Sequence, residues 1–178
     1  MSFTLHTIET APEASQSQLE GSLKDFGMIP NLHAVMAEAP KVLEAYKTLH
    51  NLFQQSSFNN EELTVIWQTI NVEHNCHYCI PAHAGVAQMM KVDPAISTAI
   101  RNGAALENEK LQVLHETTLA LIKDRGLINK EIAEKFYAQG YKEQQMLEII
   151  LGISQKIMSN YINHLADTPV DKMFQSFV

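Results

Sequence analysis

Apolar residues recur at three- and four-residue spacing along almost the whole chain, and strand-like alternation never persists. Thr10-Ala11-Pro12-Glu13 reads as a helix start with proline near the first helical position, and Gly27 as its stop. A turn over Gly27-Met28-Ile29-Pro30-Asn31 leads into a short apolar segment from Leu32 to Met36. Pro40 opens the next helix, whose Val42, Leu43, Tyr46, Leu49 and Phe53 share one face. Asn59 followed by Glu62 is a capping-box pattern, and Leu63, Ile66, Trp67 and Ile70 give the helix behind it a core-facing stripe. Gly85 to Met90 continue a further helix, with Met89 and Met90 expected to fill gaps in the core.

The same punctuation organises the second half. Asp93-Pro94 caps a helix that Gly103 stops, and Leu111, Leu114, Thr118, Leu121 and Ile122 mark one that ends at Arg125-Gly126. Asn129 caps the following helix, with Ile132, Phe136 and Tyr137 expected to be buried and Gly140 closing it. Met146, Ile149, Ile150, Ile153 and Ile157 form a long stripe flanked by Leu147 and Leu151, so this helix is buried or lies at a subunit interface. Gly152 within it costs about 1 kcal/mol against alanine, which points to close helix packing. Residues 165–178 read as a short tail whose Met173, Phe174 and Phe177 dock on the body. With no linker, low-complexity segment or repeat, residues 1–178 are expected to form a single all-α domain.

Composition narrows the function classes. The formal charge of -7, with 13 scattered basic residues, argues against nucleic acid and an anionic membrane surface. Residues 1–30 hold no signal-like apolar run and no later segment is long enough to cross a bilayer, so a cytoplasmic location is expected. A chain of 178 residues needs no disulfide staple. In a reducing compartment a close cysteine pair is more often catalytic or metal-binding than structural.

Candidate chemistry is concentrated in Glu73-His74-Asn75-Cys76-His77-Tyr78-Cys79-Ile80-Pro81-Ala82-His83, which holds both cysteines and three of the eight histidines. If Cys76 and Cys79 lie in the first turn of a helix, their spacing suits a disulfide and the helix dipole favours thiolate. Pro81 supports a position near the helix start. His83, one turn after Cys79, is placed to reach back over it as a base. Glu73, or Glu62 further up the preceding helix, could orient a histidine, and at most one of His74 and His77 is expected to join the site. A zinc site built from Cys76, Cys79, His83 and either His74 or His77 is the main alternative, though closed zinc sites usually join two separated segments. His50, His115 and His164 carry no supporting pattern, and Tyr78 is expected to pack.

Cys76-His77-Tyr78-Cys79-Ile80-Pro81-Ala82-His83, with the Leu63 to Val72 helix before it, resembles the alkylhydroperoxidase AhpD-like branch of the carboxymuconolactone decarboxylase family. Phe26-Gly27-Met28-Ile29-Pro30-Asn31-Leu32 resembles the N-terminal signature of its peroxidase-related subgroup. Arg125-Gly126-Leu127-Ile128 and Asn160-Tyr161-Ile162-Asn163-His164 extend the likeness. The resemblance implies an all-α fold assembling as a dimer, trimer or hexamer, and reduction of hydroperoxides or a partner peroxiredoxin by a dithiol/disulfide pair. It makes Cys76 and Cys79 the redox cysteines and His83 the relay histidine. Two family positions differ: Tyr78 stands where a second histidine is usual, and Thr64 stands where a relay glutamate is usual. Glu73 or Glu62 would then substitute, or the relay is shorter.

The reading is a thiol-dependent peroxidase or disulfide reductase in which Cys79, activated by His83, attacks and Cys76 resolves. The reverse order stays open, because a cysteine nearer a helix start is usually more exposed. No cofactor or metal is expected, and an external dithiol or thioredoxin-like reductant must restore the pair. A non-enzymatic redox sensor, a zinc-binding interaction module and a decarboxylase-type enzyme are the alternatives.

Overall fold

Caps and breakers set the helix boundaries. The computed structural model describes residues 3–178, and among them there is no strand. Helix α1 (Glu13–Phe26) stops at Gly27, whose φ of 71° lies in the left-handed region that glycine enters without a Cβ penalty. Helices α2 (Asn31–Met36) and α3 (Pro40–Gln54) follow, α3 with proline in its first turn. The capping box opens α4 (Asn60–Glu73): the Asn59 side chain accepts the Glu62 N–H and the Glu62 carboxylate accepts the Asn59 N–H, both at 3.0 Å. Then come α5 (Cys79–Met89), α6 (Pro94–Arg101), α7 (Glu109–Lys123), α8 (Lys130–Ala138) and α9 (Glu143–Ala166). A 3-10 helix, Lys172–Phe177, ends the described chain. The all-α architecture expected from periodicity is what forms.

Helix α4 is the central element. Every residue from Glu62 to Asn71 is buried, and α5, α6, α7 and α9 all pack on it. Trp67, Ile66 and Ile70 are fully enclosed in the larger core, with Phe53, Leu114, Phe136 and Ile149. A second cluster joins Leu19, Leu32, Met36, Leu43 and Tyr46 to Cys76, Tyr78 and Cys79, so the cysteine motif is part of the packed interior. Helix α9 crosses both α3 and α4. A Cβ at Gly152 would lie 2.8 Å from the ring of Phe53, so the close approach inferred from that glycine is present.

Several burial expectations change. On α9, Ile149 and Ile153 face the core, but Ile150 and Ile157 turn outward with Leu147, Tyr161 and Leu165. The inward face of its second half is polar instead: Gln155, Lys156, Ser159, Asn160 and Asn163 are all fully buried. On α8 only Phe136 is buried, while Tyr137 is largely exposed. Met89 is 60% exposed rather than filling the core. The tail docks on α5 as expected: Phe174 and Phe177 lie over Gly85, where a Cβ would stand 2.5 Å from the Phe174 ring.

Candidate active site

The turn between α4 and α5 presents the two cysteines. Asn75 takes φ of 49°, a left-handed conformation that asparagine tolerates, and turns the chain. The turn is held from the core side. Cys76 N–H bonds the Asn71 carbonyl at 2.9 Å, Asn71 Nδ2 donates to the Cys79 carbonyl at 3.2 Å, and Gln68 Nε2 donates to the Ile80 carbonyl at 3.1 Å. Asn160 of α9 locks Asn71 in turn at 3.1 Å. Cys76 therefore sits just before α5 and Cys79 is its first helical residue, one step displaced from the expected pairing within one helical turn. Cys79 N–H points at Cys76 Sγ at 3.3 Å, so Cys76 occupies the helix end where an N-terminal cap would lie.

Both thiols are free, and both are closed to solvent at 0% and 1% exposure. Only Cys79 lines the adjoining cavity of about 390 Å³. Asn163 Nδ2 donates to Cys79 Sγ at 3.2 Å, and Ser159 Oγ lies 3.9 Å away. Burial alone would raise the Cys79 thiol. The hydrogen bond from Cys76, the charge of Lys156 and the bonds from Ser159 and Asn163 outweigh it, holding Cys79 well below an ordinary thiol. Cys76 moves the opposite way, because its proton is shared toward Cys79 and it too is buried. Cys79 is thus the thiol of the pair that ionises first, and Cys76 the one that keeps its proton.

His83 is next to the site but not bonded to sulfur. Its Nε2 meets Lys156 Nζ at 2.9 Å, and its ring packs on Trp67 at 4.8 Å between centroids. Burial, then the charges of Lys156 and His50, hold His83 well below the usual histidine range, so the ring is neutral. An ammonium has no acceptor, so Nε2 must accept and the ring proton sits on Nδ1. That Nδ1 is buried without a partner. His83 is therefore set to offer a donor from Nδ1, and its hydrogen-bond partner is Lys156 rather than sulfur.

The remaining candidates are placed elsewhere. Glu73 pairs with Lys123 at 3.6 Å, on the side of α4 that faces α7. Glu62 is committed to its cap, to Tyr141 Oη at 2.9 Å and to Lys110 at 3.0 Å, at the far end of α4. Thr64 donates to the Asn60 carbonyl and joins no relay. His74 bonds Asn160 Oδ1, and His77 donates to the Thr168 carbonyl, both at 2.9 Å. Among the described residues no three His, Cys, Asp or Glu side chains converge as a metal set. Tyr78 does more than pack: its hydroxyl donates to Asp171 in the tail and accepts the Leu32 N–H at 3.3 Å.

The cavity is walled mostly by apolar side chains, among them Phe26, Met28, Val86, Met89, Met173 and Phe174. Its polar groups include His33, Tyr46, His50, His83, Lys156 and Cys79, with Gln54 and Tyr78 also in the wall and Asp25 at the α1 end. Burial lowers His33 to about 3 and His50 to about 4, so both are neutral near neutrality. Lys156 was not singled out from the sequence, nor were Asn163, Ser159 and His50. The available signal was the run of polar residues at positions 155, 156, 159, 160 and 163, a helical stripe inside a helix otherwise read as apolar.

No protein-family profile matches the chain, and no curated protein matches it by sequence. Solved structures do match. One is the alkylhydroperoxidase AhpD core of an uncharacterized peroxidase-related protein from Ralstonia eutropha JMP134, with a TM-score of 0.86 at 15% identity, covering 97% of this chain and 93% of that one. This chain has the AhpD-like fold. An uncharacterized peroxidase-related protein from Silicibacter sp. TM1040 matches with a TM-score of 0.83 at 17% identity, over 100% of this chain and 95% of that one. A cysteine-to-alanine variant of the debrominase Bmp8, in complex with 2,3,4-tribromopyrrole, matches with a TM-score of 0.82 at 17% identity, over 99% and 95%. At these identities the likeness carries the AhpD-like architecture and leaves the reaction to be argued from the site.

Proposed function

We propose that the protein is a thiol-dependent peroxidase in which Cys79 attacks and Cys76 resolves. The observation that carries the reading is the asymmetry of the pair. Cys79 faces the cavity with its charge supported by Asn163, Ser159 and Lys156, whereas Cys76 lies behind it and holds the proton. The Cys79 thiolate attacks the terminal oxygen of a hydroperoxide, the O–O bond breaks, and the alkoxide takes a proton to leave as alcohol. His83 Nδ1–H and the Lys156 ammonium are the donors at hand for that oxygen. Cys76 then attacks the resulting sulfenic sulfur, forming the disulfide and releasing water. Two electrons have passed from the dithiol to the peroxide, and an external dithiol or thioredoxin-like protein returns them.

The apolar walls suit an organic hydroperoxide better than hydrogen peroxide. A partner peroxiredoxin would have to reach a sulfur that is 1% exposed and roofed by Met173 and Phe174, so a small molecule is the better-fitting substrate. A reducing, cytoplasmic setting suits a dithiol enzyme, and no helix among the described residues is long and apolar enough to cross a membrane. The outward stripe of α9, with Leu147 at 71% and Tyr161 at 58% exposure, suits a homo-oligomeric contact. The zinc reading loses support because His74 and His77 are turned to other partners.

A second reading has one observation in its favour. The debrominase Bmp8 shares the architecture, and an apolar cavity of about 390 Å³ can enclose a halogenated aromatic ring. In that chemistry the dithiol supplies two electrons, the halide leaves as the acid, a hydrogen replaces it on the ring, and the same disulfide forms. One experiment separates these. Reduced protein is mixed with cumene hydroperoxide or with 2,3,4-tribromopyrrole, and free thiols, bromide and turnover with added dithiol are measured. Loss of both thiols with repeated peroxide turnover supports the peroxidase, and bromide release supports the second reading. Retention of both thiols with either substrate overturns the dithiol mechanism.

A further inference from the structure

We propose that Lys156 is the fixed counter-ion of the Cys79 thiolate and, through that pairing, poises the Cys76–Cys79 couple toward the reduced dithiol. The inference rests on the reading of Cys76 and Cys79 as a redox pair and adds a residue that neither the motif nor the resemblance indicated. A buried ammonium needs a compensating charge or a full set of acceptors. Lys156 is 0% exposed, and its partner is the neutral Nε2 of His83 at 2.9 Å, a dipole without charge. No carboxylate lies within ion-pairing distance of it among the described residues.

The groups around it leave one anion. Helix α3 offers His50, held neutral, and Tyr46, whose hydroxyl is pushed up by burial. Helix α2 offers His33, also neutral, and α4 presents the uncharged Trp67, Gln68 and Asn71. Ser159 and Asn163 on α9 itself are uncharged; Asn163 donates to the sulfur, and the Ser159 hydroxyl lies beside it while donating to the Lys156 carbonyl. In the motif, Tyr78 is engaged with Asp171, and Cys76 keeps its proton. Asp25 at the cavity edge acts on Lys47. The sulfur of Cys79, which lines the same cavity as Lys156 and is approached by Ser159 and Asn163 further along the same helix, is the anion that remains for Lys156.

Oxidation removes that anion. Cys76–SH and Cys79–S⁻ become one S–S bond, releasing one proton and two electrons to the hydroperoxide, and Lys156 is left charged beside a neutral disulfide. The dithiol is thereby favoured, and the disulfide is readily reduced by an external dithiol, which becomes a disulfide in exchange. Stabilising the reduced form by thiolate contacts is a general way to make a disulfide strongly oxidising.

The test uses Lys156→Met, Lys156→Arg and Cys76→Ser, with thiolate absorbance followed against pH and the disulfide equilibrium followed in glutathione buffers. In Lys156→Met the Cys79 ionisation midpoint is expected to rise by at least about one pH unit. The equilibrium should move toward disulfide by at least tenfold, about 30 mV for a two-electron couple. Lys156→Arg should recover part of both. A purely structural lysine would change the melting temperature and leave both readouts in place, and that result in a folded Lys156→Met protein overturns the proposal. Should the methionine variant not fold, Cys76→Ser decides. With Lys156 intact, its Cys79 must ionise below the free-thiol value of about 8.5, and an ordinary midpoint overturns the proposal. Failure of the wild type to form any disulfide would instead overturn the redox reading, while the thiolate titration would still test the counter-ion.

Discussion

Acid should unfold this protein early, and the cause is three histidines held neutral inside the site. His33 is lowered to about 3 by burial, with Lys47 and His50 adding to it, and His50 to about 4 by burial and then Lys156. His83 is held well below the usual histidine range by burial and then by Lys156 and His50. An unfolded chain protonates each histidine from about pH 6.5 downward, while the folded chain does not, so stability falls as pH drops below 6.5 and keeps falling to the folded value. At roughly pH 5 each histidine removes about 2 kcal/mol, so His33 and His50 together remove about 4 kcal/mol. His83 acts in the same direction. The depressed Cys79 thiol does too, since its stabilisation is lost as pH falls through its folded value. Against a typical total of about 5–15 kcal/mol this is a large fraction. Urea unfolding of the reduced protein at about pH 7.5, 6 and 5 reads it directly, as a falling midpoint at constant slope. The slope of stability against pH should be shallower in His33→Gln, which has one fewer proton to bind on unfolding. A midpoint that is flat between pH 7 and 5 would show that these rings are not held neutral.

Three further outcomes follow from single contacts. Asn163→Ala removes the donor 3.2 Å from Cys79 Sγ and should raise the pH midpoint of iodoacetamide alkylation by about one unit, since a hydrogen bond to a charged group is worth about 1.5–3 kcal/mol; an unchanged midpoint would remove Asn163 from the site. Gly85→Ala puts a Cβ 2.5 Å from Phe174 and should lift the tail, seen as faster C-terminal proteolysis and faster reaction of Cys79 with a bulky maleimide. Equal protection in both assays would mean that the tail does not roof the cavity. Glu73→Ala should cost under about 1 kcal/mol and leave the thiol titration unchanged, because its carboxylate pairs with partly exposed Lys123; a shifted titration would return Glu73 to the relay.

What was legible in the sequence was what local rules decide. The Asn59 box, Gly27, Asp93-Pro94 and Gly152 each act within a few residues or through one close contact, and each is where it was expected. The cysteine pair was legible because its spacing is its chemistry. Lys156 was not, because nothing within its own turn distinguishes a buried lysine from a solvated one. Its role is set by α5 and α3 crossing above it, more than 70 residues away along the chain. Glu73 is placed away from the cysteines for a related reason. Helix α4 ends there, and the rotation of its last turn points the carboxylate to α7 while Asn71, two residues earlier, faces the cysteines. Ile150 and Ile157 belong to a stripe that periodicity assigns either to burial or to a subunit interface, because it identifies an apolar face without saying what covers it; both turn outward from the core.

The two residues between the cysteines carry a structural duty that the motif alone would not suggest. His77 donates to the Thr168 carbonyl and Tyr78 donates to Asp171, so the cysteine turn itself holds the start of the tail. Asp171 also accepts the Asn31 N–H at 2.9 Å, which ties the tail to the entrance of α2. Beyond these anchors Met173 and Phe174 form part of the cavity wall, over a glycine that leaves room for the ring. Closing a disulfide has strict requirements for the Cβ positions of its cysteines. Any adjustment of the 76–79 backbone that meets them is passed directly to Thr168 and Asp171 through side chains with one bond each to give. Tyr78 occupies the position where the resemblance leads one to expect a second histidine. In this chain that position tethers the cysteine turn to the tail through Asp171 and to the start of α2 through the Leu32 N–H.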